Sequence, residues 1–106
     1  MVNRFDVFLV NLDDDISNDP KNTRPCVVIS PDEMNRNIGH VIIAPLSSPA
    51  ARYPTRVPAN FLNSDRSIVL DQIRTVDKIR LVKKIGEIEK AKQIETLDRL
   101  HEIFAP

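Results

Sequence analysis

The chain has 106 residues, 42% of them hydrophobic and 28% charged, which leaves room for a single domain spanning residues 1–106 and matches ordinary globular composition. No apolar run reaches the ~20 residues needed to cross a bilayer, and Met1-Val2-Asn3-Arg4-Phe5-Asp6 lacks the apolar core of a signal peptide. Cys26 is the sole cysteine, so no internal disulfide can form, and a reducing, cytoplasmic setting is expected.

Formal net charge is zero, with fifteen basic and fifteen acidic residues. The charges are not evenly spread: from Arg24 to Lys84 ten basic residues face five acidic ones, and the two ends carry the opposite excess. A local basic surface can bind phosphates even when the whole chain balances; scattered surface charge explains the same arginines without any ligand.

Phe5–Leu12 is rich in β-formers and reads as a strand. The next stretch, Asp13 to Asn22, is Asp, Asn, Ser and Pro with almost nothing apolar, and reads as a long loop. Pro25-Cys26-Val27-Val28-Ile29-Ser30 is a continuous apolar run, as in a strand buried on both faces. Pro31–Asn35 predicts one helical turn, with Ser30 as cap and Pro31 at the first position. Strands follow at His40–Leu46, at Tyr53–Val57 (an edge, limited by Pro54 and Pro58), at Ser67–Ile73 and at Leu81–Ile88. From Glu89 the period changes: Ile94, Leu97, Leu100 (or His101) and Phe104 predict an amphipathic helix packed on the strands through that stripe. Five or six short strands, a short internal helix and a terminal helix predict a mainly β fold with α elements, a small, strongly bent barrel of the SH3-like kind.

The sequence has no Cys/His cluster at metal-ligand spacing, no glycine-rich phosphate loop and no nucleophile elbow, so neither a metal nor another cofactor is expected. His40 and His101 stand alone and read as structural or solvated, and Cys26 as a small apolar residue of its strand. Three polar groups beside apolar strands remain: Thr23-Arg24-Pro25, Pro45-Leu46-Ser47-Ser48, and Asp71-Gln72-Ile73-Arg74-Thr75. Each also has a purely structural explanation: a loop-anchoring arginine, a turn serine, a hydrogen-bonded cluster.

Taken in order, Arg24-Pro25 leading into Val27-Val28-Ile29-Ser30-Pro31-Asp32, then Asn35-Arg36, Ile43-Ala44-Pro45-Leu46-Ser47-Ser48, Asp71-Gln72-Ile73-Arg74-Thr75-Val76-Asp77-Lys78, Arg80-Leu81 and Lys84-Ile85-Gly86 resemble the MazF/PemK/Kid family of bacterial toxin ribonucleases. The resemblance runs from about Arg4 to the final helix. It implies a Kid/CcdB-like barrel that works as a homodimer and cleaves single-stranded RNA, messenger RNA included, at short sequences without a metal. The RNA's 2′-hydroxyl is the attacking group, leaving 2′,3′-cyclic phosphate and 5′-hydroxyl ends. It further implies a cognate antitoxin that lays an extended acidic segment across the dimer.

Carried over by position, Arg24 matches the family's catalytic arginine, Ser47 a position usually held by a catalytic threonine, and Asp71 a carboxylate proposed as base in the Kid branch. Asp71 has a second reading, as the ion-pair partner that orients Arg74. Ser48, Arg52, Arg56, Gln72, Arg74 and Thr75 are the expected RNA-binding set, the last three mainly as pocket scaffold. Two departures stand out. The substrate-covering first loop carries Asp13-Asp14-Asp15 where relatives often have glycine, histidine and glutamate-glutamine, so it is expected to shield Arg24 and narrow substrate choice. Val69 replaces the arginine that completes the Kid-type pair with Asp71. Two other readings are a CcdB-type gyrase poison, which depends on a tryptophan near its end whereas this chain has none, and an inactive barrel that only binds a partner.

Overall fold

The computed structural model describes residues 1–12, 22–48 and 53–106. The expected loop from Asp13 onward and the expected RNA contact Arg52 lie outside the described residues. Among those described, seven strands form one curled antiparallel sheet: β1 (Asp6–Asn11), β2 (Thr23–Val28), β3 (His40–Ser47), β4 (Arg56–Phe61), β5 (Ser64–Val69), β6 (Arg74–Asp77) and β7 (Leu81–Glu87). Their order is β4-β5-β3-β2-β1-β7, with β6 also paired to β3. Two helices complete the fold, α1 (Asp32–Asn37) and α2 (Lys90–Phe104). This bears out the predicted mainly β fold with a short internal helix and a terminal helix, the bent barrel being a curled half-barrel of seven strands among the described residues. No helix among the described residues is long and apolar enough to cross a membrane.

The continuous apolar run in β2 is explained by two cores, one on each side of the sheet. Val27, with Val7, Ala44, Leu46, Val57, Phe61, Ile68 and Leu70, fills the inside of the curl. Cys26 and Val28, with Val10, Val41, Ile43 and Val76, pack on the other side. Alternate residues of one strand thus enter different cores. Gly86 in β7 lies against Phe61: a Cβ there would meet the ring at 2.8–2.9 Å, so this position must stay small for the sheet to close over the ring.

Four local expectations are corrected. The edge strand does not end at Val57; β4 runs from Arg56 to Phe61 with Pro58 inside it, tolerated because β4 is the last strand of its edge. It turns into β5 through Leu62 and Asn63, both at positive φ (49° and 62°), the left-handed pair that matches strand twist in a two-residue hairpin. The expected strand Ser67–Ile73 is broken by a 3₁₀ turn at Leu70–Gln72, and the chain re-pairs with β3 as β6. Ser30 does not cap α1: Pro31 is the N-cap residue, and no side-chain hydrogen bond caps that end. The Ser30 hydroxyl instead donates to the buried Asn35 side chain and accepts from the Ile42 N–H, joining α1 to β3. Finally, α2 faces the barrel with Thr96, Leu100 and Ile103, while Ile94, Leu97 and Phe104 of the expected stripe are exposed, at 56%, 37% and 70%.

Candidate active site

Arg24 sits near the start of β2, and Ser47 ends β3. The β2–β3 register runs Val28↔Ile43, Val27↔Ala44, Cys26↔Pro45 and ends there; Arg24 lies two residues further along β2, where it pairs with Val10, and Ser47 two residues further along β3, where it pairs with Ser67 of β5. Side chains alternate along a strand, so Arg24 shares a face with Cys26, and Ser47 with Pro45 and Ile43. That face is the one carrying Cys26 and Val28, away from the inside of the curl. Arg74 joins it from β6, where it pairs with Ile43. Its charge is felt at Cys26, lowering the thiol pKa against the dominant effect of burial, which pushes it up to about 12. Residues 24, 47 and 74, far apart in sequence, therefore share one sheet surface whose floor is apolar.

Both guanidiniums are exposed and uncommitted to carboxylates. Among the described residues Arg24 donates only to the Thr23 carbonyl, at 3.2 Å, and neither Arg24 nor Arg74 forms an ion pair. The Ser47 hydroxyl donates to the Ser48 carbonyl at 3.3 Å, a long bond that a better acceptor would displace. Two exposed guanidiniums and a hydroxyl donor over an apolar floor suit a phosphate-sized anion.

Asp71 does not form the pair with Arg74 that one reading of the sequence expected. The 3₁₀ turn at Leu70–Gln72 pushes it out of the β5–β6 line toward β4, and Leu70 N–H donates to the Thr55 carbonyl at 3.0 Å. There its carboxylate accepts from Arg56 Nε at 3.3 Å, Arg56 Nη2 at 3.5 Å and Thr55 Oγ1 at 3.0 Å. The ion-pair partner is Arg56, not Arg74. The Arg56 hydrogen bond is the main reason that the carboxyl is held below its usual range, with Thr55 adding to it. Gln72 shares the exposed turn, and Ser48 is exposed just past β3. Thr75 pairs with Ile42 and alternates to the other face of the sheet from Arg74, where it is exposed. Sequence reasoning gave no weight to Tyr53, which carries the Arg56 guanidinium 4.9 Å from its ring centroid; its aromatic neighbourhood with an arginine three residues on was the available signal.

His40 and His101 are both exposed, at the start of β3 and on α2, away from this face. Among the described residues no group of three or more His, Cys, Asp or Glu side chains is arranged to hold a metal.

The family model for PemK-like, MazF-like toxins of type II toxin-antitoxin systems matches residues 3–104. Three solved structures show the same fold at low sequence identity. An endoribonuclease in complex with its cognate antitoxin, from a Mycobacterial species, has a TM-score of 0.84 at 20% identity, covering 100% of this chain and 98% of that one. A MazE-MazF complex from Deinococcus radiodurans gives 0.79 at 21%, over 98% and 95%. The Mycobacterium tuberculosis toxin MazF-mt6 gives 0.76 at 18%, over 93% and 95%. A comparison with curated protein sequences finds no match.

Proposed function

The chain belongs to the PemK-like, MazF-like toxins of type II toxin-antitoxin systems, and on that premise we propose that it is a sequence-selective, metal-independent endoribonuclease acting on single-stranded RNA. The observation that supports this reading is that Arg24, Ser47 and Arg74 lie on one face of the sheet, none of the three tied up by a carboxylate among the described residues.

In the reaction, the RNA 2′-oxygen attacks the adjacent phosphorus, the P–O5′ bond breaks, and a 2′,3′-cyclic phosphate and a 5′-hydroxyl result. The 2′-proton leaves to water and the departing 5′-oxygen takes one up, both at a surface open to solvent. Negative charge builds on the non-bridging oxygens during attack. The planar Arg24 fork donates two hydrogen bonds matched to them, and Ser47 donates a third. Arg74 adds a second positive charge beside the same phosphate, while Ser48 and Gln72 line the surface along which the strand continues. Asp71, committed to Arg56 and Thr55, is a poor proton acceptor, and we read it as a positioning group. The same reading includes a homodimer in the cytoplasm, inhibited by a cognate antitoxin whose extended acidic segment would neutralise Arg24 and Arg74. Two of the structural relatives are complexes with an antitoxin or with MazE.

The test is incubation of the purified protein with a long single-stranded RNA in EDTA. Discrete cuts with cyclic-phosphate ends are expected, and Arg24→Ala should lower kcat by roughly 100- to 1,000-fold, the usual cost of one oxyanion donor. Intact RNA under these conditions would overturn the reading and leave a barrel that only binds a partner.

A further inference from the structure

Next to the Arg24–Ser47 face lies a cluster that the cleavage step does not use. Tyr53 is 53% exposed. Behind its ring stands the Arg56 guanidinium, 4.9 Å from the centroid, and behind that the Asp71 carboxylate, paired to Arg56 Nε at 3.3 Å and braced by Thr55 Oγ1 at 3.0 Å. The backbone carrying the ring is tied down as well. Arg56 N–H donates to the Tyr53 carbonyl and Leu70 N–H to the Thr55 carbonyl, each at 3.0 Å. Arg99 of α2 reaches the Pro54 carbonyl at 3.0 Å. The exposed ring thus lies against one cation that a carboxylate pairs, on a segment whose backbone three hydrogen bonds hold.

We propose that Tyr53 is a stacking platform for a nucleobase of single-stranded RNA, with Arg56 and Asp71 as the positioning residues that fix its ring. The proposal rests on the ribonuclease reading above and assigns the substrate a second contact. Three features support it. One ring face is covered by Arg56, so a base has a single open face to occupy, and base–aromatic stacking is tolerant of sequence because every base has a π-face. The clamp removes rotamer freedom before binding, so little entropy is lost when the base arrives. The Arg56–Asp71 pair cancels its own charge, so the cluster reads a base and not a phosphate.

The spacing also fits. Arg56 pairs with Val69, two residues along β5 from Ser67, which pairs with Ser47. Two strand spacings and two residues of rise place the start of β4 roughly 12 Å from Ser47. That is too far for a base at the reacting phosphate and suits a flanking one.

Tyr53 is the only tyrosine and the chain has no tryptophan, so intrinsic fluorescence reports this ring alone. Titrating the unaltered protein with a 2′-O-methyl single-stranded oligonucleotide, which cannot be cleaved, should give saturable quenching after correction for absorption. An abasic oligonucleotide of equal length should bind through its phosphates without quenching. Tyr53→Ala should weaken oligonucleotide binding about 10- to 100-fold, by the same factor at every salt concentration and with the loss in cleavage falling on KM. Tyr53→Phe, which keeps the ring, should stay within about two-fold of wild type, since stacking and not the hydroxyl carries the effect. Asp71→Asn should reduce the quenching amplitude by freeing the ring. Binding and cleavage without quenching, or an Ala variant that binds like wild type, would overturn the platform alone. Failure of the unaltered protein to bind any oligonucleotide would overturn the platform and the ribonuclease reading together. The fluorescence measurement needs no variant, so it stands whether or not Tyr53→Ala folds.

Discussion

Asp71 shows how a single contact decides between two chemical roles. A general base must hold a proton in the transition state, and its effectiveness rises as its pKa approaches the working pH. The Arg56 guanidinium and the Thr55 hydroxyl move Asp71 the opposite way, below the ordinary carboxylate value of 3.8. Asp71→Asn should therefore lower kcat/KM by less than about ten-fold and leave the pH–rate profile in place; a loss near 100-fold or more, of the size that general bases contribute, would restore the base role. The folded carboxyl has the lower pKa, so its contribution to stability is present above the unfolded value and disappears as pH falls through the folded one. The pair is partly exposed, with side chains 21% and 36% accessible, so that contribution is below about 1 kcal/mol. Thermal melts should show wild type slightly above Asp71→Asn at neutral pH, with the gap closing as pH falls through the lowered pKa of the folded carboxyl. None of this was legible in the sequence: Asp71 stands three residues from Arg74 but pairs with an arginine 15 residues away. The placement of Arg24 and Ser47 was legible because each sits where an apolar strand meets a polar segment, and alternation along β2 and β3 puts both on one face of the sheet.

At the scale of elements, the strands that alternate between two cores declared themselves, because both of their faces are apolar and the run stays unbroken in letters such as Cys26-Val27-Val28. The misread elements are those whose stability comes from position. β4 contains Pro58, which only an edge permits, and its hairpin turns on Leu62-Asn63 and not on a glycine. β6 has a single buried residue, Val76, so it carries almost no hydrophobic signature. On α2 the apolar stripe misled, because the buried face runs through Thr96, whose hydroxyl bonds the Lys92 carbonyl and so costs nothing to bury. The two faces make opposite predictions. Leu100→Ala should destabilise the fold by about 1–2 kcal/mol, a half-buried version of the usual leucine truncation. Ile94→Ala should stay within about 0.5 kcal/mol, as exposed helical substitutions do. Urea denaturation of the two variants measures the contrast, and equal losses would mean that the helix is seated on the other face.

For the whole molecule the controlling quantity is charge summed over a small body. The protein measures 34 × 30 × 23 Å, and at about 10 mM ionic strength the screening length is ~30 Å. At low salt every charge on the chain acts on a phosphate approaching Arg24, wherever that charge lies. A net charge of zero then means that the basic middle is opposed by the acidic remainder, and Asp13, Asp14 and Asp15 supply three of its negative charges. Replacing the three with Asn takes the formal charge from zero to plus three. RNA should associate faster and kcat/KM should rise several-fold at about 10 mM salt, since on-rates follow the summed field. At about 1 M salt the screening length is ~3 Å, and the variant and wild type should converge. Salt-dependent single-turnover cleavage measures both ends of that range. An equal rate at low salt would show that these carboxylates do not oppose RNA, and a gain that persists at high salt would point to a local contact in place of the long-range field.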